Sequence, residues 1–544
     1  MGLENPGPRR RSEYGRTTPA SHQGGTPPIS STYSRPRSES EARPPGERNG
    51  EPFVPLNPPI EEAPPTSANG LLGSGPLLSP ALGNNDLPPQ DMLYALTDLY
   101  FKHCNTWCPI LDRKTVFRTL SSRPHLAEED RVLLHAIVSA ALRFFHDPRL
   151  ASEARARQYA LSKRTVQMYA LENVSVGALR APVILCLDIM GASNGPAAGM
   201  VLAQLSQTVR QLGLCDEASV FLTSTSEDTP TRSGLVHRLS TAGQPVSWLE
   251  DEGRRRLCWM VYILDRYAAM AAVTTGYTLA DADVRRVLPC SYDLFSGDVP
   301  VETNWFGSPD DLEGGARLSV VNKSENLGSF SYHCEMITIL SRVHDFATTP
   351  LDISSPTETA AWRNKYRQLD ETLDGWLQSL PGEYGGTSML CHSDPASRVA
   401  NWFLLHSAYV VAVVRLHSSA AYPMLQSHLF VPSDYAIQRC VSAVHSLGGI
   451  VQDVREADGL YLLGPLFTFS LWVAARLLLV NAAAMGCPVD PMVDMFIQTL
   501  DDMGRHWQVA TCYSRILARV VQRGRQGDGT WGAMRRLVLL ASRR

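Results

Sequence analysis

A serine flanked by glycines is the first group in this sequence that could do chemistry. Gly191, Ser193 and Gly195 fit the G-x-S-x-G pattern of a nucleophile elbow, which needs a strand before the serine, a helix after it, and a later acid and histidine. The apolar residues in 184–190 have helical spacing instead, and no doubly wound sheet pattern surrounds them. A helix, a glycine-rich turn and a second helix explain these residues better than a hydrolase site.

Cysteine and histidine are the other candidates, as metal ligands. Cys104 and Cys108 are spaced as C-x3-C, with His103 beside the first, but a zinc site of this type needs a second pair nearby. The fourteen histidines show no H-E-x-x-H or other paired spacing. We therefore expect no metal or other cofactor in this chain, and we expect the two cysteines to pack as small apolar side chains beside Trp107.

Basic residues could contact nucleic acid only locally, because 50 basic and 54 acidic residues leave a net charge of -4 and no overall positive field. One short cluster near the start contains Arg9, Arg10 and Arg11. A nuclear importer could recognise this cluster, or it could contact phosphates. The alternative is a solubilising arm without a partner.

Helical periodicity dominates the chain from residue 91 onward, whereas 18 of the 37 prolines fall within residues 1–90. The proline-rich part predicts a disordered arm over 1–90. The rest predicts an all-α fold, an irregular multi-helix domain over 91–544. After a first helix from Asp91, helical spacing recurs in 134–145, 153–172, 182–190, 197–213, 250–272, 330–346, 360–380, 397–418, 434–455, 465–486 and 491–524.

Three further segments need separate interpretation. The polar stretches 216–247 and 292–329 exceed normal connections and predict mobile insertions between helices. The apolar stretch 465–485 is long enough to span a membrane, but Arg476 lies near its centre, where a charge costs roughly 2.5 to 3.5 kcal/mol. A buried core helix is the expected structure there.

The most informative stretch is one long helix that begins near Trp248. Its apolar positions repeat every three or four residues, which predicts a buried stripe of Leu257, Met260, Val261, Leu264 and Ala268. We expect this helix to be a central packing element. The adjacent Arg254, Arg255 and Arg256 are expected to point partly to solvent and to form exposed ion pairs, each worth only ~0 to 1 kcal/mol.

The same stretch resembles the signature of the fungal-specific transcription factor domain, the middle homology region of fungal binuclear zinc cluster regulators. The matching residues are Trp248, Glu252, Arg255, Arg256, Trp259, Asp265 and Arg266, followed by Gly276 and Pro289. The family usually has arginine and proline around that glycine, whereas Thr275 and Tyr277 flank it here. Other landmarks occur in the family's order, among them Leu212-Gly213-Leu214 and the later helix with Trp376. The resemblance is best over 91–420.

The resemblance implies a nuclear transcription regulator without enzymatic activity, controlling a metabolic or secondary-metabolite gene set. Its implied partners are DNA, reached directly or through another regulator, the transcription machinery or a corepressor, and a homo- or heterodimer partner, with no membrane. Family members usually carry six N-terminal cysteines that bind zinc, yet no cysteine precedes Cys104.

Three alternatives therefore stay open. The first is a regulator whose zinc-cluster exon is missing from the sequence, which is the case in which zinc would be a cofactor. The second is a cluster-less cofactor that acts through a DNA-binding partner. The third is a hydrolase that uses the elbow around Ser193.

Overall fold

Helices are the regular elements of the part of the chain that the structure describes. This computed structural model describes residues 86–122, 126–193, 195–217, 242–272, 276–305, 324–382, 396–423, 431–527 and 529–534. Within these ranges, extended pairing is confined to the isolated bridges Asp216 with Arg285 and Val287 with Trp305. The all-α prediction is confirmed. The predicted disordered arm lies outside the described residues up to position 85, and so does the arginine cluster at 9–11.

The helices follow one another with short connections over most of the chain. In chain order they are α1 (Gln90–His103), α2 (Arg113–Ser121), α3 (Glu128–Ala141), α4 (Ser152–Glu172), α5 (Val176–Ala192), α6 (Pro196–Gln211), α7 (Trp248–Ala272), α8 (Tyr292–Gly297), α9 (Ser329–Thr348), α10 (Pro356–Ser379), α11 (Ala396–Ala421), α12 (Asp434–Glu456), α13 (Pro465–Met485), α14 (Met492–Met503), α15 (Gln508–Arg525) and α16 (Thr530–Ala533).

Side chains at the helix starts explain several of these boundaries. Ser175, Ser355 and Ser433 each accept a hydrogen bond from a backbone N–H in the first turn of the following helix, which satisfies a donor that the helix leaves unpaired. Helix α6 ends in the Leu-Gly-Leu landmark, where Gly213 has φ 68°. That left-handed conformation favours glycine at the end of a helix.

Two groups of helices share one continuous apolar core. In the first group, α3 packs against α1, α4 and α5; in the second, α11 packs against α9, α12 and α13. Helix α7 contacts α5 and α6 on one side and α9 on the other. The signature helix therefore lies between the two groups.

The structure corrects the predicted elements at two places. The stretch 491–524 forms two helices rather than one, because the chain turns after Met503 so that Trp507 enters the core, 5.6 Å from the ring of Trp107. Helices α2 and α8 were not predicted, and α8 lies in the stretch 292–329 that was expected to be an insertion. Helix α2 buries only Val116 and Leu120, too few positions for a period to appear.

Helix α13 and the Trp402–Ala421 part of α11 are long and apolar enough to cross a membrane by length and composition. In each, 78% of the apolar window is buried inside the protein. Such burial is typical of a core helix, which is the structure predicted for 465–485.

Candidate functional site

Helix α7 buries its predicted apolar stripe, in which only Ala268 is partly exposed, and most of its other faces as well. Leu257, Val261 and Leu264 are 2%, 0% and 0% exposed, so the helix is the central packing element that the periodicity predicted. The acidic residues of its first turn, Glu250 and Asp251, suit the positive end of the helix dipole.

The prediction that the three arginines point partly to solvent is wrong. Arg254, Arg255 and Arg256 are 7%, 1% and 0% exposed. Consecutive residues on a helix lie about 100° apart, so three of them cover most of the circumference and cannot share one solvated face. The chain on either side of α7 covers the helix, and each arginine therefore has buried partners of its own.

Arg255 lies at the centre of a closed set of charges. Its guanidinium contacts Glu217 at 2.7 Å and Asp251 at 3.2 Å, and it also pairs with Glu252. Arg286 contacts the same Glu217 at 3.3 Å and Asp251 at 3.0 Å. These five side chains are at most 2% exposed. Together with Arg256 they form what we call the Arg255 network, in which three carboxylates balance three guanidiniums.

Arg256 connects this network to two other parts of the chain. It donates to Glu252 at 2.9 Å, to the Pro109 carbonyl at 3.0 Å and to the Cys290 carbonyl at 2.5 Å. Its guanidinium also lies 4.4 Å from the ring centre of Phe295 in α8. The turn after α1 and the segment after Pro289 are thereby held against α7.

Arg254 fixes the chain that leads into the helix. It pairs with Glu250 at 2.6 Å and donates to the Gly243 carbonyl at 2.8 Å. Since Arg255 holds Glu217, both ends of the 218–241 stretch are attached to α7.

Asp265 binds the backbone that follows the C-terminal end of α7. It accepts hydrogen bonds from the backbone N–H groups of Thr278 and Leu279, each at 3.1 Å, and from the Thr278 hydroxyl at 2.5 Å. It also pairs with Arg266 at 2.8 Å. This carboxylate therefore supplies the contacts that set the chain direction after α7.

Arg266 is held between two tyrosine rings. Its guanidinium carbon lies 3.9 Å from the ring centres of both Tyr262 and Tyr277, a cation–π arrangement, and it also pairs with Asp281. Gly276 has φ 108°, which favours glycine. Tyr277, at the position where the family usually has proline, supplies one of the two rings.

The remaining signature residues also lie around α7. The Trp259 ring N–H donates to the Val287 carbonyl at 2.9 Å, and the Pro289 carbonyl accepts from the Ser331 hydroxyl at 2.6 Å. Trp248 packs in a small separate apolar cluster beside Cys290.

Burial and the neighbouring guanidiniums act in opposite directions on the pKa values of two carboxylates in the Arg255 network. Burial alone would raise the pKa of Glu217, but the charges of Arg286 and Arg255 hold that pKa at about 2. Burial raises the pKa of Asp251 above its usual value despite the same two arginines. Of these two carboxylates, Glu217 is the one that stays ionised to lower pH.

Neither Glu217 nor Arg286 was predicted as a member of the Arg255 network. Glu217 lies in the stretch 216–247, which was expected to be an insertion, and Arg286 lies between helices, where no periodic pattern marks it. Helix α7 offers Arg255 and Arg256 two carboxylates that become fully buried, Asp251 and Glu252. Consecutive arginines on a buried helix need carboxylate partners from other parts of the chain. The acidic pair Asp216 and Glu217, which comes shortly after Leu212-Gly213-Leu214, could have indicated where such partners lie.

The other chemical candidates lie apart from this network. Ser193 follows α5 and precedes α6, which confirms the helix, turn and helix interpretation. Cys104 and Cys108 are 2% and 1% exposed beside the equally buried Trp107, as predicted. Burial raises the pKa of the Cys104 thiol to about 12. Among the described residues, no three His, Cys, Asp or Glu side chains are grouped so that they could hold a metal ion.

Comparison with known proteins shows the family. The fungal specific transcription factor domain matches residues 97–378, more than half of the chain. The chain belongs to this family, as its signature residues predicted. Two uncharacterized transcriptional regulatory proteins of Schizosaccharomyces pombe are similar to it, one 23% identical over 63% of this chain and the other 21% identical over 78%. The chain spans 35% and 63% of the length of these relatives. No solved structure matches it.

Proposed function

We propose that this chain is a nuclear transcription regulator that controls a metabolic or secondary-metabolite gene set. The observation that carries the proposal is the family signature, which lies on α7 and is joined by buried contacts to the chain before and after it. The names of the two relatives, transcriptional regulatory proteins, support the same conclusion.

The proposed role of the helical domain is to transmit a regulatory signal to the segments that contact DNA and the transcription machinery. Because α7 contacts both groups of helices, a ligand, a corepressor or a dimer partner bound to one group can alter the other through it. No catalytic step belongs to this proposal, since a helix rather than a strand precedes Ser193.

An expression experiment tests the proposal. Deletion of the gene should change transcript levels of a limited gene set, and a tagged chain should be found at promoters in that set by chromatin immunoprecipitation. Complementation with wild-type chain and with Ser193→Ala should restore the pattern equally. Unchanged transcripts after deletion, or complementation that depends on the Ser193 hydroxyl, would contradict a regulator without catalysis.

The chain could contact DNA in two ways, either directly or through a partner regulator. We propose that this chain binds no stoichiometric zinc and has only weak, salt-sensitive affinity for duplex DNA, so that a partner regulator supplies the contact. Metal analysis and mobility-shift assays on the purified chain test this. Two zinc ions per chain would contradict it, and an upstream reading frame with six suitably spaced cysteines would favour direct binding.

A further inference from the structure

Helix α15 carries an unbalanced charge. It contains four arginines and no acidic residue, although acidic residues outnumber basic ones in the whole chain. Three of these arginines, Arg515, Arg519 and Arg523, are exposed. They recur every four residues, so they lie along one face of the helix, about 6 Å apart along its axis. We call these three residues the α15 arginine row.

The α15 arginine row lacks carboxylate partners within the described part of the chain. The fourth arginine, Arg525, contacts Asp494 of α14 at 3.5 Å, whereas no carboxylate in the described ranges lies within ion-pair distance of the row. An exposed arginine elsewhere, Arg113, pairs with Asp98 at 2.5 Å. Like charges one turn apart destabilise a helix. The row is therefore suited to a binding partner that brings negative charge to α15.

A groove of about 370 Å³ lies beside the row, between α14 and α15. Ile497 of α14 and Ala518 and Val521 of α15 supply its apolar lining. Ala518 is exposed and Ile497 is half-buried, so the groove opens to solvent and its apolar lining is accessible to another molecule.

Helix geometry places the row along this groove. Each arginine of the row precedes a groove-lining residue by three positions, and residues three apart are neighbours on a helix surface. The three groove-lining residues are Ala518, Gln522 and Gln526. Positive charge therefore borders an apolar groove over about two turns of α15.

We propose that the groove between α14 and α15 binds an amphipathic helix of a partner protein, in which apolar side chains alternate with carboxylates. The apolar side chains pack against Ile497, Ala518 and Val521, and the carboxylates pair with the α15 arginine row. Duplex DNA could use the arginines through its phosphates, but phosphate contacts make no use of an apolar groove. The combination of the two features therefore favours a protein segment.

The binding itself is inferred from the contacts of α14 and α15. That the partner is a corepressor or a part of the transcription machinery rests on the function proposed above.

Fluorescence anisotropy with the full chain tests the site. The probe is a labelled peptide of about four helical turns, with leucines at helical spacing on one face and glutamates at the positions between them. Two control peptides replace the leucines with serine or the glutamates with lysine. We expect saturable binding of the acidic leucine peptide alone, and we expect added salt to weaken it, because salt screens exposed charges.

Substitutions at exposed positions separate the charge from the groove. The combined variant Arg515→Gln, Arg519→Gln and Arg523→Gln should weaken binding of the acidic peptide by about 10-fold, since three modest ion pairs are lost together. Ala518→Gln should weaken it by about 5-fold, because a longer polar side chain enters the groove without a change of charge. All four positions are exposed, so both variants should keep the wild-type Tm.

A matched control removes the same charge elsewhere. Arg363, Lys365 and Arg367 are exposed on α10, and the combined variant Arg363→Gln, Lys365→Gln and Arg367→Gln should bind the acidic peptide as the wild type does. Equal weakening by this control would show that net charge, rather than the α15 arginine row, attracts the peptide, and the proposal would be wrong.

Four other results would overturn the proposal. They are peptide binding unchanged by the loss of the row, peptide binding unchanged by Ala518→Gln, binding of duplex DNA through the row without binding of the peptide, and self-association of the chain that disappears when the row is replaced. The last two would assign the surface to nucleic acid or to a second copy. Peptide binding by the purified chain combined with unchanged transcripts after gene deletion would retain the site and contradict the proposed function.

Discussion

Neutralising the buried Glu217 should destabilise the domain far more than neutralising a carboxylate in an exposed ion pair. Glu217→Gln would leave three guanidiniums facing two carboxylates in the Arg255 network, where the side chains of Glu217 and Arg255 are 1% and 2% exposed. Removing one partner of a buried ion pair typically costs about 3 to 5 kcal/mol, because the other charge remains buried without compensation.

The pKa of Glu217 gives a second, independent value for how much its charge contributes to the free energy of unfolding. A carboxyl whose pKa falls from 4.5 to about 2 on folding contributes roughly 3 kcal/mol of stability at neutral pH. Because the folded-state pKa is the lower one, this contribution is complete above about pH 5. It is lost as the pH falls toward about 2, where the folded form also becomes protonated.

The assay is urea unfolding of wild-type chain and Glu217→Gln between pH 7 and pH 3.5. We expect a difference in unfolding free energy of about 3 to 5 kcal/mol at pH 7, shrinking below pH 5. Asp98→Asn is the control, since Asp98 and its partner Arg113 are 58% and 47% exposed and such pairs contribute only ~0 to 1 kcal/mol.

Two results would refute this reasoning. A difference in unfolding free energy below about 1 kcal/mol at pH 7 would mean that the ion pairs of Glu217 contribute no more to stability than exposed ion pairs do. A difference that stays constant down to pH 3.5 would mean that shape or hydrogen bonding, rather than charge, is what the substitution removes.

Three further predictions rest on the structure, and a fourth rests on the arginine cluster in the sequence. Leu264→Ala should lower the unfolding free energy by roughly 2 to 5 kcal/mol, measured by urea unfolding, since Leu264 is 0% exposed. Asp265→Asn should cost about 1 to 3 kcal/mol and speed hydrogen exchange of the Thr278 amide, which Asp265 accepts from. Gly276→Ala should cost about 1 kcal/mol, visible as a lower Tm, because of its positive φ. Replacing the three arginines at 9–11 with glutamine should reduce nuclear accumulation of a fluorescent fusion if an importer recognises them, and unchanged accumulation would assign them to a solubilising arm.

The sequence predicted helices and their buried stripes because apolar burial repeats with the helix period over a few turns. Leu257, Val261 and Leu264 on α7 show this directly. The break before α15 escaped prediction, since Trp507 continues the apolar pattern while its ring enters the core from a turn. Local periodicity reports which residues are buried, but not where the backbone changes direction.

The candidate site was predictable only in part. Its signature positions on α7 were identified by resemblance, yet their burial was not, because a run of arginines usually indicates a solvated face. The compensating groups are distant in sequence: Glu217 lies 38 residues before Arg255, and Arg286 lies 35 residues after Asp251. No pattern within a single helix contains that information.

The attachment of both ends of the 218–241 stretch to α7 has a consequence for where this protein can accept an insertion. Arg255 holds Glu217 on one side, and Arg254 holds the Gly243 carbonyl on the other, so the separation of the ends does not depend on what joins them. In general, each doubling of the number of residues between two fixed ends adds only about 0.6 kcal/mol of closure entropy. Because Glu217 and Gly243 are held to α7 independently of each other, we expect the domain to tolerate a tag or a folded module inserted between these two anchored positions.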